Sequence, residues 1–231
     1  MKLSLCYLKQ CGVRRMRAAY SKVKYFESIP SIPKRSMILT RIGYKKGVTE
    51  LDEHYMKMLE DGIRLGESLC KPMGAYTRVP VQHRDELCVR LEGGIELQSS
   101  GLSKLLYSSR EVVLMAATVG KEVCDSIERE MENNNAAMAV IIDSVASQTA
   151  DACLDWMVNF LNSVLAREGI KLTRHRYSPG YGDLALLYQK EIFNVLRLER
   201  LDMSITEKHM LVPEKSVIAI AGIEGRGFEN G

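Results

Sequence analysis

Residues 174–183 read Arg-His-Arg-Tyr-Ser-Pro-Gly-Tyr-Gly-Asp, with two arginines, two tyrosines, two glycines and one proline in ten positions. Pro179-Gly180 is turn chemistry, because proline presets φ and glycine accepts the positive φ that side chains resist. Upstream, Ile170-Lys-Leu-Thr-Arg174 reads as a short strand. Downstream, Gly182-Asp183 opens an amphipathic helix over residues 184–198, with Asp183 as its N-cap. The stretch is therefore a strand, a tight loop and a helix start. Exposed backbone N–H groups and a helix dipole at such a loop suit an anion. Arg176 at the strand end can fork onto a carboxylate. Tyr177 and Tyr181 can stack on a ring or face a cation. The ligand class that uses all of these carries a carboxylate, an aromatic base and a positive centre.

Working outward, the chain alternates hairpins with helices. Residues 75–82, 87–91 and 95–98 read as strands, with Gly93-Gly94 as a hairpin turn between the last two. Residues 112–118 form a fully apolar run, expected to be a strand buried on both faces. Residues 203–206 and 216–223 are further strands, and Val217-Ile-Ala-Ile-Ala221 is apolar enough to be central. Helices are expected from Thr49, where Asp52 completes a capping pattern, to Pro72, and over residues 101–107, 120–132 and 136–167. The order predicts an α+β fold with a largely antiparallel sheet and helices packed against it.

The long helix over 136–167 divides at 100° per residue. Ile141, Ile142, Val145, Ala146, Thr149, Ala152, Cys153, Trp156 and Met157 share one side. Asp143, Ser144, Ser147, Gln148, Asp151, Asp155 and Asn159 share the other, with Leu154 and Val158 as exceptions. The polar side reads either as a solvated face or as a wall of a ligand site.

Composition narrows the class. The chain has 231 residues, 46% hydrophobic and 26% charged, an ordinary globular mixture. Residues 1–36 hold nine Lys or Arg against one Glu, a net of +8, which leaves −5 of the overall +3 to the remainder. The body is mildly acidic and carries no nucleic-acid footprint. Residues 1–36, interrupted by Ile29-Pro30 and Ile32-Pro33, are expected to be a disordered basic extension or an upstream start, with one domain over residues 37–231. The six cysteines form no C-x-x-C pair, and no signal-peptide core or stretch of 18 apolar residues stands out. A reduced cytoplasmic protein, with no membrane association, is the expectation. The four histidines show no metal spacing. No G-x-G-x-x-G opens a helix after a strand, no Ser/His/Asp arrangement is legible, and no catalytic residue is assigned.

S-adenosylmethionine has the carboxylate, base and positive centre that residues 174–183 suit, and a family resemblance points the same way. Arg176-Tyr-Ser-Pro-Gly-Tyr181 resembles the Arg-x-x-x-Gly-Tyr signature of the activation domain of cobalamin-dependent methionine synthase. Ile205-Thr-Glu207 through Val212-Pro213 to Ser216-Val217 resembles the strand and turn that follow it, and Met115-Ala-Ala-Thr-Val-Gly120 is similar to a segment of the short, stand-alone members. The resemblance spans residues 37–223. It implies an activation-domain fold that binds S-adenosylmethionine through Arg176, Tyr177, Ser178, Pro179, Gly180 and Tyr181. A family glutamate on the preceding helix contacts the ligand; no glutamate matches here, and Gln148 and Asp151 are the candidates. The long members' tyrosine pair after the last strand is also missing, and only Phe228 is aromatic there. The implied function is reactivation of methionine synthase by reductive methylation of cob(II)alamin on a partner. A reductase or flavodoxin would be the electron donor, so the protein would be an accessory subunit. The alternatives are another corrinoid methyltransferase as partner, or an S-adenosylmethionine-sensing scaffold.

Overall fold

A computed structural model describes residues 21–45, 47–50 and 52–225. In chain order the elements are β1 (Lys24–Phe26), α1 (Arg35–Arg41), α2 (Glu53–Leu69), β2 (Met73–Arg84), β3 (Cys88–Leu91), β4 (Ile95–Gln98) and α3 (Ser100–Leu105). They continue with β5 (Glu111–Thr118), α4 (Glu122–Glu132), α5 (Ala136–Leu165), β6 (Ile170–Leu172), α6 (Tyr188–Leu196), β7 (Ser204–Ile205), β8 (Leu211–Val212) and β9 (Ser216–Gly225). The main sheet runs β4-β3-β2-β5-β9-β6, with β1 also on β2; β7 and β8 form a separate ribbon. Every pairing is antiparallel. The expected α+β class is the one found.

The apolar run expected to be doubly buried is β5, at the centre of the sheet. Successive side chains of a strand point to opposite faces. Val112, Leu114 and Ala116 join a core with Ala75, Val79, Ile218 and Ile220 from the sheet and Leu102, Leu106, Ile192 and Leu196 from α3 and α6. Val113, Met115 and Ala117 join a second core with Ala219, Ala221 and Ile223 and with Ile142, Ala146, Cys153, Met157 and Leu161 of α5. Strand β2 pairs with β5 up to Pro80 and with β3 from Val81 onward, the β3 register shifting at a bulge between Val81 and His83.

Helix α5 lies across one face of the sheet and is itself covered by α1, α2 and α4, so it is buried on more than one side. That is why Ser144 and Gln148, on its polar side, are buried, and why Leu154 is 2% exposed despite its place there. With its 3-10 extension (Ala136–Glu168) it is the one helix among the described residues long and apolar enough to cross a membrane; 61% of its apolar window is buried within the fold. Helix α2 approaches it closely at Gly62 and Gly66: a Cβ on Gly66 would stand 2.9 Å from Cβ of Val145. The α2 N-cap is Asp52, whose side chain accepts from the Tyr55 N–H, and not Thr49.

The structure differs from the expected boundary at Met37. Residues 1–20 lie outside the described residues, but residues 21–36 are part of the fold. Strand β1 pairs with β2 in the register Lys24↔Tyr76 to Phe26↔Gly74. Phe26 packs on Tyr76, Trp156 and Phe160, with centroids 5.7, 5.2 and 5.1 Å away. Ile29 is 2% exposed in the α5-side core. The basic charge of this segment is real, but its apolar residues at 25, 26 and 29 face the body while its lysines face solvent.

Candidate ligand-binding cleft

After β6 the chain stays alongside β9. Tyr177 N–H donates to the Ile220 carbonyl at 2.9 Å and Ile220 N–H donates to the Tyr177 carbonyl at 2.7 Å, an isolated antiparallel bridge. Between Leu172, paired with Ile223, and Tyr177, paired with Ile220, the chain spends two more residues than β9 and bends at Arg174 and His175. Arg174 and Arg176 face the α5 side, whereas the Tyr177 ring packs into the opposite core. The arginines, with Gln148, Asp151, Asp155, Trp156 and Asn159 of α5, line an open cleft of about 830 Å³. Its remaining wall comes from Pro30, Ser31, Ile32, Lys34 and Met37. The N-terminal wall is anchored: Ile29 N–H donates to the Pro72 carbonyl at 2.9 Å, and the Ser31 hydroxyl sits 3.2 Å from the Cys153 sulfur.

Inside the cleft, Arg176 Nη1 donates to Asp155 Oδ1 at 2.7 Å. The Arg176 side chain is 28% exposed and that of Asp155 60%. Asp151 and Arg174 line the same space, and neither has a side-chain hydrogen bond or ion pair to a described residue. Elsewhere on α5, Asp143 and the Ser147 hydroxyl are reached by Lys215, which precedes β9, at 2.6 and 3.2 Å. Cationic and anionic groups therefore stand in one concavity with a half-buried indole, an arrangement suited to a ligand carrying both a carboxylate and a positive centre. Burial pushes the Cys70 and Cys153 thiols up to about 11, so they are neutral at physiological pH and poor nucleophiles. Among the described residues no group of three or more His, Cys, Asp or Glu is placed to hold a metal ion.

The structure thus brings Arg176, Gln148 and Asp151 together, and it does not bring residues 177–181 to the cleft. The Tyr177 ring packs against the α3–α6 core, and Pro179 is buried. Gly180 holds φ +85°, as the turn requires, and a Cβ there would meet Leu186 Cδ1 at 2.8 Å. Tyr181 is 73% exposed, its ring edge-on to Tyr177 at 6.3 Å between centroids. Ser178 is half-buried between them in sequence and accepts the Tyr181 N–H through its carbonyl.

Asp183 does not cap the helix that follows it, as its position suggests: α6 begins at Tyr188, and its N-cap, Leu187, makes no side-chain cap. The Asp183 carboxylate instead holds the start of α3. It accepts from the Ser99 hydroxyl at 2.5 Å, Ser100 N–H at 2.6 Å and hydroxyl at 2.9 Å, Gly101 N–H at 3.1 Å and the Tyr177 hydroxyl at 2.8 Å. The Ser99 hydroxyl above all, then the Gly101 N–H and the Tyr177 hydroxyl, hold its carboxyl well below the usual carboxylate range. The Tyr177 hydroxyl fits only because two neighbours lack side chains: a Cβ on Gly101 would stand 2.4 Å from it and one on Gly182 2.2 Å. The signature loop is thereby tied to α3, which fixes the segment between β6 and the loop that carries Arg174 and Arg176.

No protein-family model matches the chain, and no curated protein matches it significantly. A solved structure, the crystal structure of the MetH reactivation domain bound to AdoHcy, is similar in fold, with a TM-score of 0.61 and 14% sequence identity over 89% of this chain and 79% of that one. At that identity the likeness establishes the architecture, an α+β fold of the reactivation-domain type.

Proposed function

We propose that the protein binds S-adenosylmethionine in the cleft between α5 and the Arg174–Arg176 edge and acts as a cytoplasmic reactivation subunit for a cobalamin-dependent methionine synthase. The observation that carries the reading is the convergence of Arg174 and Arg176 with Gln148 and Asp151 in one cleft, on a fold shared with a domain solved with AdoHcy. Arg176 holds the methionyl carboxylate, Gln148 and Asp151 meet polar and cationic parts of the ligand, and Trp156 offers apolar surface. Residues 177–180 support the strand and loop, and Tyr181 stands exposed where a partner can reach it. S-adenosylmethionine supplies an electrophilic methyl group when bound. The acceptor, a cobalamin carried by a corrinoid partner, and one electron from a reductase or flavodoxin come from outside this chain. The chain itself binds and orients.

Calorimetry tests the binding step. Losing a charge-assisted carboxylate contact in Arg176→Ala should weaken S-adenosylmethionine by about 10- to 100-fold with the fold intact. Unchanged affinity removes Arg176 from the site. Methyl-labelled S-adenosylmethionine, a corrinoid protein and a one-electron reductant together test the transfer. Label should reach the corrinoid only when this protein is present, and methylation of a small molecule or nucleic acid without any corrinoid protein sinks the reading.

A further inference from the structure

We infer that Asp155 is a positioning residue that occupies the carboxylate seat on Arg176 in the free protein and gives it up to the carboxylate of the incoming ligand. The inference rests on the binding reading above and says how that site is kept ready. Arg176 is held by a single contact, Nη1 to Asp155 Oδ1 at 2.7 Å, and its other guanidinium nitrogens have no partner among the described residues. Asp155 is one of four polar α5 residues, with Gln148, Asp151 and Asn159, that line the cleft with this guanidinium. A long arginine side chain left unpaired on a sheet edge samples many rotamers, whereas one fastened from α5 is fixed on the cleft side. The fastening is weak by design of its surroundings: the Asp155 side chain is 60% exposed, so water takes it back at little cost. Two carboxylates close together on one guanidinium repel each other, so a ligand that docks by its carboxylate displaces Asp155 or is weakened by it.

The consequence is specific to the ligand's carboxylate, which separates it from a structural role. The test measures, on the full chain, affinity for S-adenosylhomocysteine and for the same thioether lacking its carboxylate, in the parent protein and in Asp155→Asn. The ratio of the two affinities should rise about two- to fivefold in the variant, the size of an exposed ion-pair competition. Asp143→Asn, a change on the same helix but outside the cleft lining that loosens Lys215, should leave the ratio as it is. An unchanged or lowered ratio in Asp155→Asn, with an unaltered melting temperature, overturns the inference while S-adenosylhomocysteine binding itself stands. Failure of the parent protein to bind either thioether or S-adenosylmethionine instead overturns the binding reading, and the inference with it.

Discussion

Replacing Ile29 by alanine should destabilise the whole domain, although the residue lies in a segment whose composition reads as an arm. Ile29 is 2% exposed, its Cδ1 stands 3.0 Å from the place a Cβ on Gly74 would occupy, and its backbone N–H is tied to Pro72. Removing its outer carbons leaves a cavity against β2 and Met157 that neither a strand backbone nor a packed helix can close, so the cost is that of a buried Ile→Ala change, about 3 kcal/mol within a range of roughly 2–5. In a domain of this size that is roughly 6–12 °C in melting temperature. A chain beginning at Met37 should lose more. It also forfeits the β1 ladder, the Phe26 aromatic packing, the Tyr25 hydroxyl's bond to the Leu196 carbonyl at 2.9 Å, and four residues of the cleft wall. Differential scanning calorimetry measures the first effect, and titration with S-adenosylmethionine measures the loss of the wall. If Ile29→Ala melts within about 2 °C of the parent, or if the chain from Met37 melts and binds as the whole does, residues 21–36 are not part of the domain and the argument fails.

Other outcomes follow from the loop. Gly182→Ala places a Cβ 2.2 Å from the Tyr177 oxygen at φ +58°, so it should cost at least the ~1–3 kcal/mol of a strained left-handed residue and expose Tyr177 to quenchers; an unshifted urea midpoint would contradict this. Asp183→Asn should be destabilising in a pH-dependent way. Because the folded-state pKa is depressed, the carboxylate's contribution is fully present above the unfolded value of about 3.9 and is lost as pH falls through the lower folded value. The gap in urea midpoint between parent and variant should therefore be widest at neutral pH and narrow below about pH 4, and a gap independent of pH would show that the charge is not what holds α3.

The elements that could be read from sequence are those whose cause is local. The apolar run at β5 is doubly buried because no residue from 112 to 117 is polar, and the Gly93-Gly94 turn links β3 to β4, with both glycines at positive φ. What escaped the reading depends on partners far along the chain. An aspartate before a turn caps whichever helix start comes within reach. For Asp183 that is α3, more than eighty positions earlier in sequence, and nothing in residues 184–187 records it. The segment from 24 to 29 was hidden by the lysines and arginines around it in residues 1–36, since net charge counts side chains without asking which face they occupy. Phe26 and Ile29 were the available signal.

The placement of the signature residues was legible only in part. Strand alternation alone puts Arg174 and Arg176 on one side and Tyr177 on the other, and that is where they lie. But the chain bends at Arg174 and His175 and rejoins β9 only at Tyr177, a register shift that depends on β9 and not on the local sequence. Six consecutive residues, 176–181, therefore cannot all present side chains to one ligand while the first of them remain extended against β9. The bridge at Tyr177–Ile220 shows that they do remain extended there. A ligand anchored on Arg176 must find its other contacts on the facing α5 surface and on the N-terminal wall. The residues that line those surfaces are Gln148, Asp151, Trp156, Ser31 and Lys34, while the Tyr177 hydroxyl is taken by Asp183. The division has a mechanical sense. The cleft side of this segment carries the arginines proposed to recognise the ligand, and the α3 side carries Tyr177 and, after the turn, Asp183, which tie the loop down, so on the proposed reading a change at Tyr177 or Asp183 should reach the ligand only by letting Arg176 move.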